Sequence, residues 1–135
     1  MNDADTLIKD LKLEPHPEGG NFVECFRTKD LSIIYYLLKK NEKSHWHRIT
    51  KNETLHFYKG DPLIIYSSKD EVNYNTVIIG EKNNFITTVD SGTWFAMKTM
   101  GEYSLIGCTV APAFDYADFE LAPKGWKPNK FTEPL

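Results

Sequence analysis

The chain has 135 residues, 41% hydrophobic and 26% charged, with a formal net charge of −3. Such a chain is long enough to bury a core without disulfides or structural zinc. The slight acidic excess argues against a general nucleic-acid binder, and no apolar run is long enough to span a membrane.

In chain order, residues 3–12 (DADTLIKDLK) read as a short helix, with Asp3 or Asp5 as its cap and Leu7, Ile8 and Leu11 as its apolar stripe. Pro15 and Pro17 forbid its continuation, and Gly19-Gly20 gives a corner before the first strand. From there the pattern is β almost throughout. The segments NFVECFR, SIIYYLL, SHWHRI, ETLHFYK, PLIIYSS, YNTVIIG, NFITTV, TWFAMKT, EYSLIGCTV and YADFELA are short and rich in β-branched and aromatic residues. Turn signals such as KGDP, SKDEVN and DSG separate them. About ten short strands with close turns predict an all-β sandwich, jelly roll or small barrel. The whole of 1–135 is expected to be one domain, with the helix inside 1–14 and an irregular Pro- and Lys-rich tail over 123–135, lying on the surface or on a partner. Cys25 and Cys108 both fall in strand-like runs and are expected to be reduced, buried thiols. No charged-then-apolar leader opens the chain, so the expected location is cytoplasmic.

Three of the four histidines lie within Ser44–Gly60. On a regular strand alternate side chains share a face, so His45 and His47 would converge with Cα atoms about 6.5–7 Å apart. Thr50-Lys51-Asn52 reads as a turn that returns Glu53 beside them. His45, His47 and Glu53 would then form a three-ligand set for one divalent ion such as Zn, Fe, Mn or Ni, with positions left for water or substrate. His56 has the opposite phase from Glu53 and joins the site only if a bulge intervenes.

Elsewhere, Phe22, Glu24 and Phe26 share one predicted face, and Val23, Cys25 and Arg27 the other. If the first face is inward, Glu24 lies in an apolar wall with a raised pKa suited to acid–base work; if outward, it pairs with a Lys or Arg. Arg27 is a candidate grip for a carboxylate or phosphate, or a partner in a dimer salt bridge. Glu18, at the Pro17–Gly19 corner, can lid a pocket or hydrogen-bond the turn. Tyr35, Tyr58, Trp94 and Phe95 are candidate pocket aromatics.

The spacing His45-x-His47, then Glu53, then Gly60, resembles the first conserved motif of the cupin superfamily. The segments LEPHPEGGNFVECFRT (Leu13–Thr28), SIIYYLL (Ser32–Leu38), SHWHR…NETLHFYKGDPL (Ser44–Leu63), SGTWFAM (Ser91–Met97) and GCTVAPAFDYADFELA (Gly107–Ala122) resemble the cupin subfamily designated DUF985. The resemblance implies a double-stranded β-helix, or jelly roll, with a ligand pocket inside the barrel, and a homodimer. The chain departs from metal-binding cupins in their second motif. Phe95 stands where another histidine would be, and Asp90 replaces the proline. Asp115, Asp118 and Glu120 lie in a closing segment that suits strand exchange between subunits as well as catalysis.

Three functions are compatible with these residues. The first is an acid–base enzyme, epimerase- or isomerase-like, acting on a small polar or sugar-like molecule through His47 or His56 with Glu24 or Glu53. The second is a metal-dependent dioxygenase or isomerase. The third is a non-catalytic small-molecule binder. The absent second-motif histidine favours the first over the second, and several titratable groups speak against the third. No glycine-rich phosphate loop points to a nucleotide cofactor.

Overall fold

The computed structural model describes residues 2–135. Helix α1 (Asp3–Leu11) is capped by Asn2 rather than by the expected Asp3 or Asp5. The Asn2 Oδ1 accepts from the Asp5 N–H at 2.8 Å. Eleven strands follow: β1 (Glu14–Pro15), β2 (Asn21–Arg27), β3 (Ser32–Lys39), β4 (Ser44–Ile49), β5 (Asn52–Gly60), β6 (Leu63–Ser68), β7 (Asn75–Ile79), β8 (Ile86–Val89), β9 (Trp94–Thr99), β10 (Tyr103–Ala111) and β11 (Phe119–Leu121).

They form two antiparallel sheets, one ordered β1-β2-β3-β10-β5-β8 and the other β11-β4-β9-β6-β7. Because side chains alternate, each central strand sends one set inward. Tyr36 and Leu38 on β3, Leu55 and Phe57 on β5, Ile65 on β6, Phe95 and Met97 on β9, and Ile106 and Cys108 on β10 fill the space between the sheets. This is the jelly roll that the all-β pattern predicts.

Both outer faces are partly covered. The helix lays Leu7, Ile8 and Leu11 against Leu13, Leu37 and Leu105 on the six-stranded sheet. The segment after Ala122 packs Trp126 and Phe131 on Trp46, Tyr66 and Trp94 of the five-stranded sheet. The irregular tail is therefore docked on its own chain: Lys98 Nζ donates to the Pro134 carbonyl at 2.6 Å, and Tyr74 Oη to Glu133 at 2.7 Å.

Two β-bulges decide what faces the interior. In β4, Ser44 lies opposite Met97 and His47 opposite Phe95, so β4 carries one more residue than β9 over this stretch. In β2, Glu24 pairs with Ile34 but Phe26 with Ile33, so Cys25 is the extra residue. Cys25 is consequently exposed, against the expectation of burial, while Cys108 is buried; both are free thiols.

Candidate functional site

A cavity of about 340 Å³ opens at one end of the barrel. Its walls are largely apolar, with Phe22, Ile34, Ile49, Val110, Phe114 and Phe119 among them. Into it project His16, Glu18, His47, Glu53 and Cys108, and Glu24 and Arg27 also line it.

The bulge in β4 explains the fate of the His-x-His motif. Ser44 points inward, fully buried, with its Oγ hydrogen-bonded to Glu18 Oε2. The extra residue then reverses the alternation, so Trp46 packs outward under the tail and His47 returns to the interior. His45 does not join His47. Its Nε2 lies 3.1 Å from the Pro123 carbonyl oxygen, outside the cavity.

The metal set His45, His47 and Glu53 is thus not assembled in one place. Phe95, at the position of the second-motif histidine, is a fully buried ring packed 4.1 Å from the His47 ring. No group of three or more His, Cys, Asp or Glu side chains disposed to hold a metal occurs among the described residues. The donor set does not fit the expected divalent ion, and no chemistry is assigned through one.

His45 matters through its main chain instead. Its N–H donates to the Glu18 carbonyl at 2.8 Å, and its own carbonyl lies 2.7 Å from His47 Nδ1. A carbonyl only accepts, so His47 Nδ1 carries a proton. In the neutral ring Nε2 therefore holds a lone pair, and it faces Glu18 Oε2 at 3.1 Å. Two acceptors do not sit together at that distance without a proton between them. Glu18 and His47 accordingly share one proton, as carboxylic acid with imidazole or as carboxylate with imidazolium.

Burial favours the uncharged form. Desolvation pushes Glu18 up to about 7, partly offset by His16 and by the Ser44 hydrogen bond. Desolvation also lowers His47, although Glu53 acts the other way. Glu53 rises to about 7, again chiefly by burial, with His47 opposing and Glu18 adding to the rise. Two carboxyls thus titrate close to neutrality in one cavity, beside an imidazole that burial holds toward its neutral form.

His16 completes the cluster. Its Nδ1 accepts from the Glu18 N–H at 3.1 Å and lies 3.4 Å from Glu18 Oε1. Its ring sits edge-on to Phe22 at 4.6 Å, and burial lowers its pKa. The strand-based reading assigns no catalytic role to His16 or Glu18. The signal available was the PHPEGG run, where a histidine and a glutamate flank a proline before two glycines.

That corner has little freedom. Gly19 has φ +112°, a region that side chains rarely adopt, and a Cβ there would run into the Lys43 carbonyl. The Tyr36 hydroxyl donates to the Gly19 carbonyl. Gly19→Ala is expected to cost about 3 kcal/mol or more, read as a lowered urea midpoint at unchanged slope.

The remaining predicted residues divide according to strand phase. The β2 bulge brings Glu24 and Arg27 onto the same inward side and turns Phe26 out to solvent, contrary to simple alternation. Arg27 Nε and Nη2 donate to the two Glu24 carboxylate oxygens, each at 2.9 Å, and Nη2 also to the Phe114 carbonyl at 2.7 Å.

His56 and Tyr58 alternate with the inward Leu55 and Phe57 and therefore lie on the outer face. There His56 Nε2 is 3.3 Å from Thr109 Oγ1, and Tyr58 packs against Tyr35 with ring centroids 5.9 Å apart. Tyr35 is likewise out of phase with Ile34 and Tyr36. Trp94 is outside the barrel, between Trp126 and the Arg48 guanidinium. Of the predicted catalytic residues, the structure brings His47, Glu53 and Glu24 together and separates His56 from them. Of the predicted ligand contacts, only Arg27 lines the cavity.

Two antiparallel sheets closed around a cavity with inward imidazole and carboxyl groups define a cupin-type jelly roll. The chain belongs to the cupin superfamily, in the family designated DUF985, whose model matches residues 5–122. It is similar in structure to a hypothetical protein from Leishmania major at 30% identity and TM-score 0.83, covering 93% of this chain and 90% of that one. A protein of Shewanella oneidensis is similar at 35% identity and TM-score 0.85, with 90% and 85% covered. Oxalate decarboxylase from Bacillus subtilis shares the fold at 12% identity and TM-score 0.67, covering 80% of this chain and 29% of that one. No curated protein matches significantly.

Proposed function

We propose that this cupin is an acid–base enzyme, isomerase- or epimerase-like, acting on a small polar molecule bound in the barrel cavity. The observation that carries the reading is the approach of Glu18 Oε2 to His47 Nε2 at 3.1 Å at the cavity wall, a contact that calls for one proton between them. A group that gives and takes protons near neutral pH is what general acid–base catalysis requires. Glu53, half-buried in the same cavity and also raised to about 7, supplies a second such group. In this reading His47 is the catalytic histidine and Glu18 its partner, with Glu53 nearby. Arg27 and Glu24 are engaged with each other and with Phe114, and so close the wall. The chemistry moves a proton between the ligand and the Glu18–His47 pair.

The test is solvent exchange. Small sugars, amino sugars and amines are incubated with the protein in D2O and followed by proton NMR. Catalysed deuterium incorporation at one carbon of one compound is expected. Binding without exchange in every compound that binds would leave a non-catalytic binder instead.

The homodimer belongs to the same proposal. The outer face of the six-stranded sheet leaves Tyr58 and Ile86 about half exposed, a surface suited to a second copy. Light scattering at micromolar concentration is expected to give twice the chain mass of 15.6 kDa. A monomer would remove that part of the proposal.

A further inference from the structure

The charges lining the cavity restrict what can bind there. Four acids line it: Glu18, Glu24, Glu53 and Asp115. Among the described residues the only fixed positive charge on its walls is Arg27, and Arg27 is already engaged with both oxygens of Glu24 and with the Phe114 carbonyl. The two histidines do not compensate. Each is desolvated toward its neutral form, and His47 presents an acceptor nitrogen to Glu18. An anionic head entering this end would meet carboxyl groups and no free cation among the described residues, an arrangement that costs binding energy.

Glu53 is the group left wanting a partner. Glu18 has Ser44 and His47, and Glu24 has Arg27, but the Glu53 carboxyl has no hydrogen-bond or ion-pair partner among the described residues. A carboxylate in a largely apolar cavity and without a donor gains from a charge-assisted hydrogen bond. Around it the cavity offers the rings of Phe22, Phe114 and Phe119, whose faces attract cations and whose bulk excludes water.

We infer that the cavity takes a small organic cation, an ammonium or amidinium group on a compact apolar or aromatic body, with its nitrogen seated on Glu53 beside Glu18. This deepens the acid–base reading of the same site by naming the ligand class, and it does not require that the bound cation be turned over. The nitrogen supplies the N–H donors that Glu53 lacks, and its charge offsets the acidic lining. The ring lies along the phenylalanines.

Three probes of nearly one shape and different charge separate the alternatives. Benzylamine, benzyl alcohol and benzoate are titrated calorimetrically into the full chain at pH 7.5. Benzylamine is expected to bind at least tenfold more tightly than benzyl alcohol, and benzoate to give no binding heat. Glu53→Gln should remove that tenfold preference, with its melting temperature reporting that it folds. Benzoate binding as tightly as the amine, an amine no better than the alcohol, or no binding of the amine overturns the inference on the wild-type protein alone. The deuterium-exchange assay reads the catalytic proposal separately. Exchange without amine preference removes only the ligand class, and amine preference without exchange supports the ligand class while removing catalysis.

Discussion

Glu18→Gln is expected to lower the solvent-exchange rate by about 10²–10⁴-fold, the usual contribution of a positioned proton-transfer group. The fold should survive. An NH2 in the place of Oε2 donates one hydrogen to the Nε2 lone pair of His47, which Nδ1 anchoring keeps in place, and the other to Ser44 Oγ, whose hydroxyl turns from donor to acceptor. The variant therefore keeps the hydrogen bonds and loses the transferable proton. A packing role for Glu18 would leave the rate near wild type, because the amide has nearly the same shape. Ligand affinity separates the two effects further: it should change less than the rate.

The stability of the wild-type protein should fall between pH 6.5 and 8. Glu18 and Glu53 rise from 4.5 to about 7 on folding, so between those values the folded chain holds more protons than the unfolded one. Stability then decreases as pH rises through that window, and the loss is complete above the folded pKa. His16 and His47 act oppositely. Their folded pKa values lie below 6.5, so their contribution increases with pH until the unfolded rings have lost their protons, about one unit above 6.5, and is constant beyond. The opposed terms flatten the profile in mild acid and offset part of the carboxyl fall up to about pH 7.5. From pH 6.5 to 8 each carboxyl is expected to cost about 1 kcal/mol, read from urea unfolding at the two pH values. Glu18→Gln should make the fall smaller by the share of one carboxyl, which is more than half of it. Stability that rises over this interval would mean that the two carboxyls are not held above their ordinary range.

The sequence made the barrel legible because its alternation is regular where the core is built. Tyr36 and Leu38, Leu55 and Phe57, and Phe95 and Met97 keep their phase, and each pair is buried. The same regularity places His56, Tyr58, Tyr35 and Trp94 outside once the neighbouring inward residues are recognised. Composition made them candidates, and phase removes them. What alternation did not reveal are the two points where it breaks. One extra residue in β4 turns His45 away from His47, and Cys25 as the extra residue in β2 puts Arg27 on the side of Glu24. A bulge leaves little local trace in composition, because it is fixed by pairing with a distant strand. Glu18 was hard to read for another reason. It lies in the turn between β1 and β2, and it reaches His47 only because the Gly19 corner folds the chain back against Lys43 and Ser44.

The shared proton is the centre of the acid–base site, and nitrogen-15 NMR of the histidine rings reads it directly. His47 Nδ1 lies 2.7 Å from the His45 carbonyl, and Nε2 lies 3.1 Å from Glu18 Oε2. Across pH 5–9 the Nδ1 resonance of His47 should stay that of a protonated nitrogen, while Nε2 alone changes, moving with the Glu18 carboxyl carbon in one common transition. In Glu18→Gln that transition should vanish, leaving Nε2 as an acceptor near neutral pH. A neutral His47 ring protonated on Nε2 with a bare Nδ1, or a His47 that titrates without any response at Glu18, would contradict the shared proton and the acid–base site built on it.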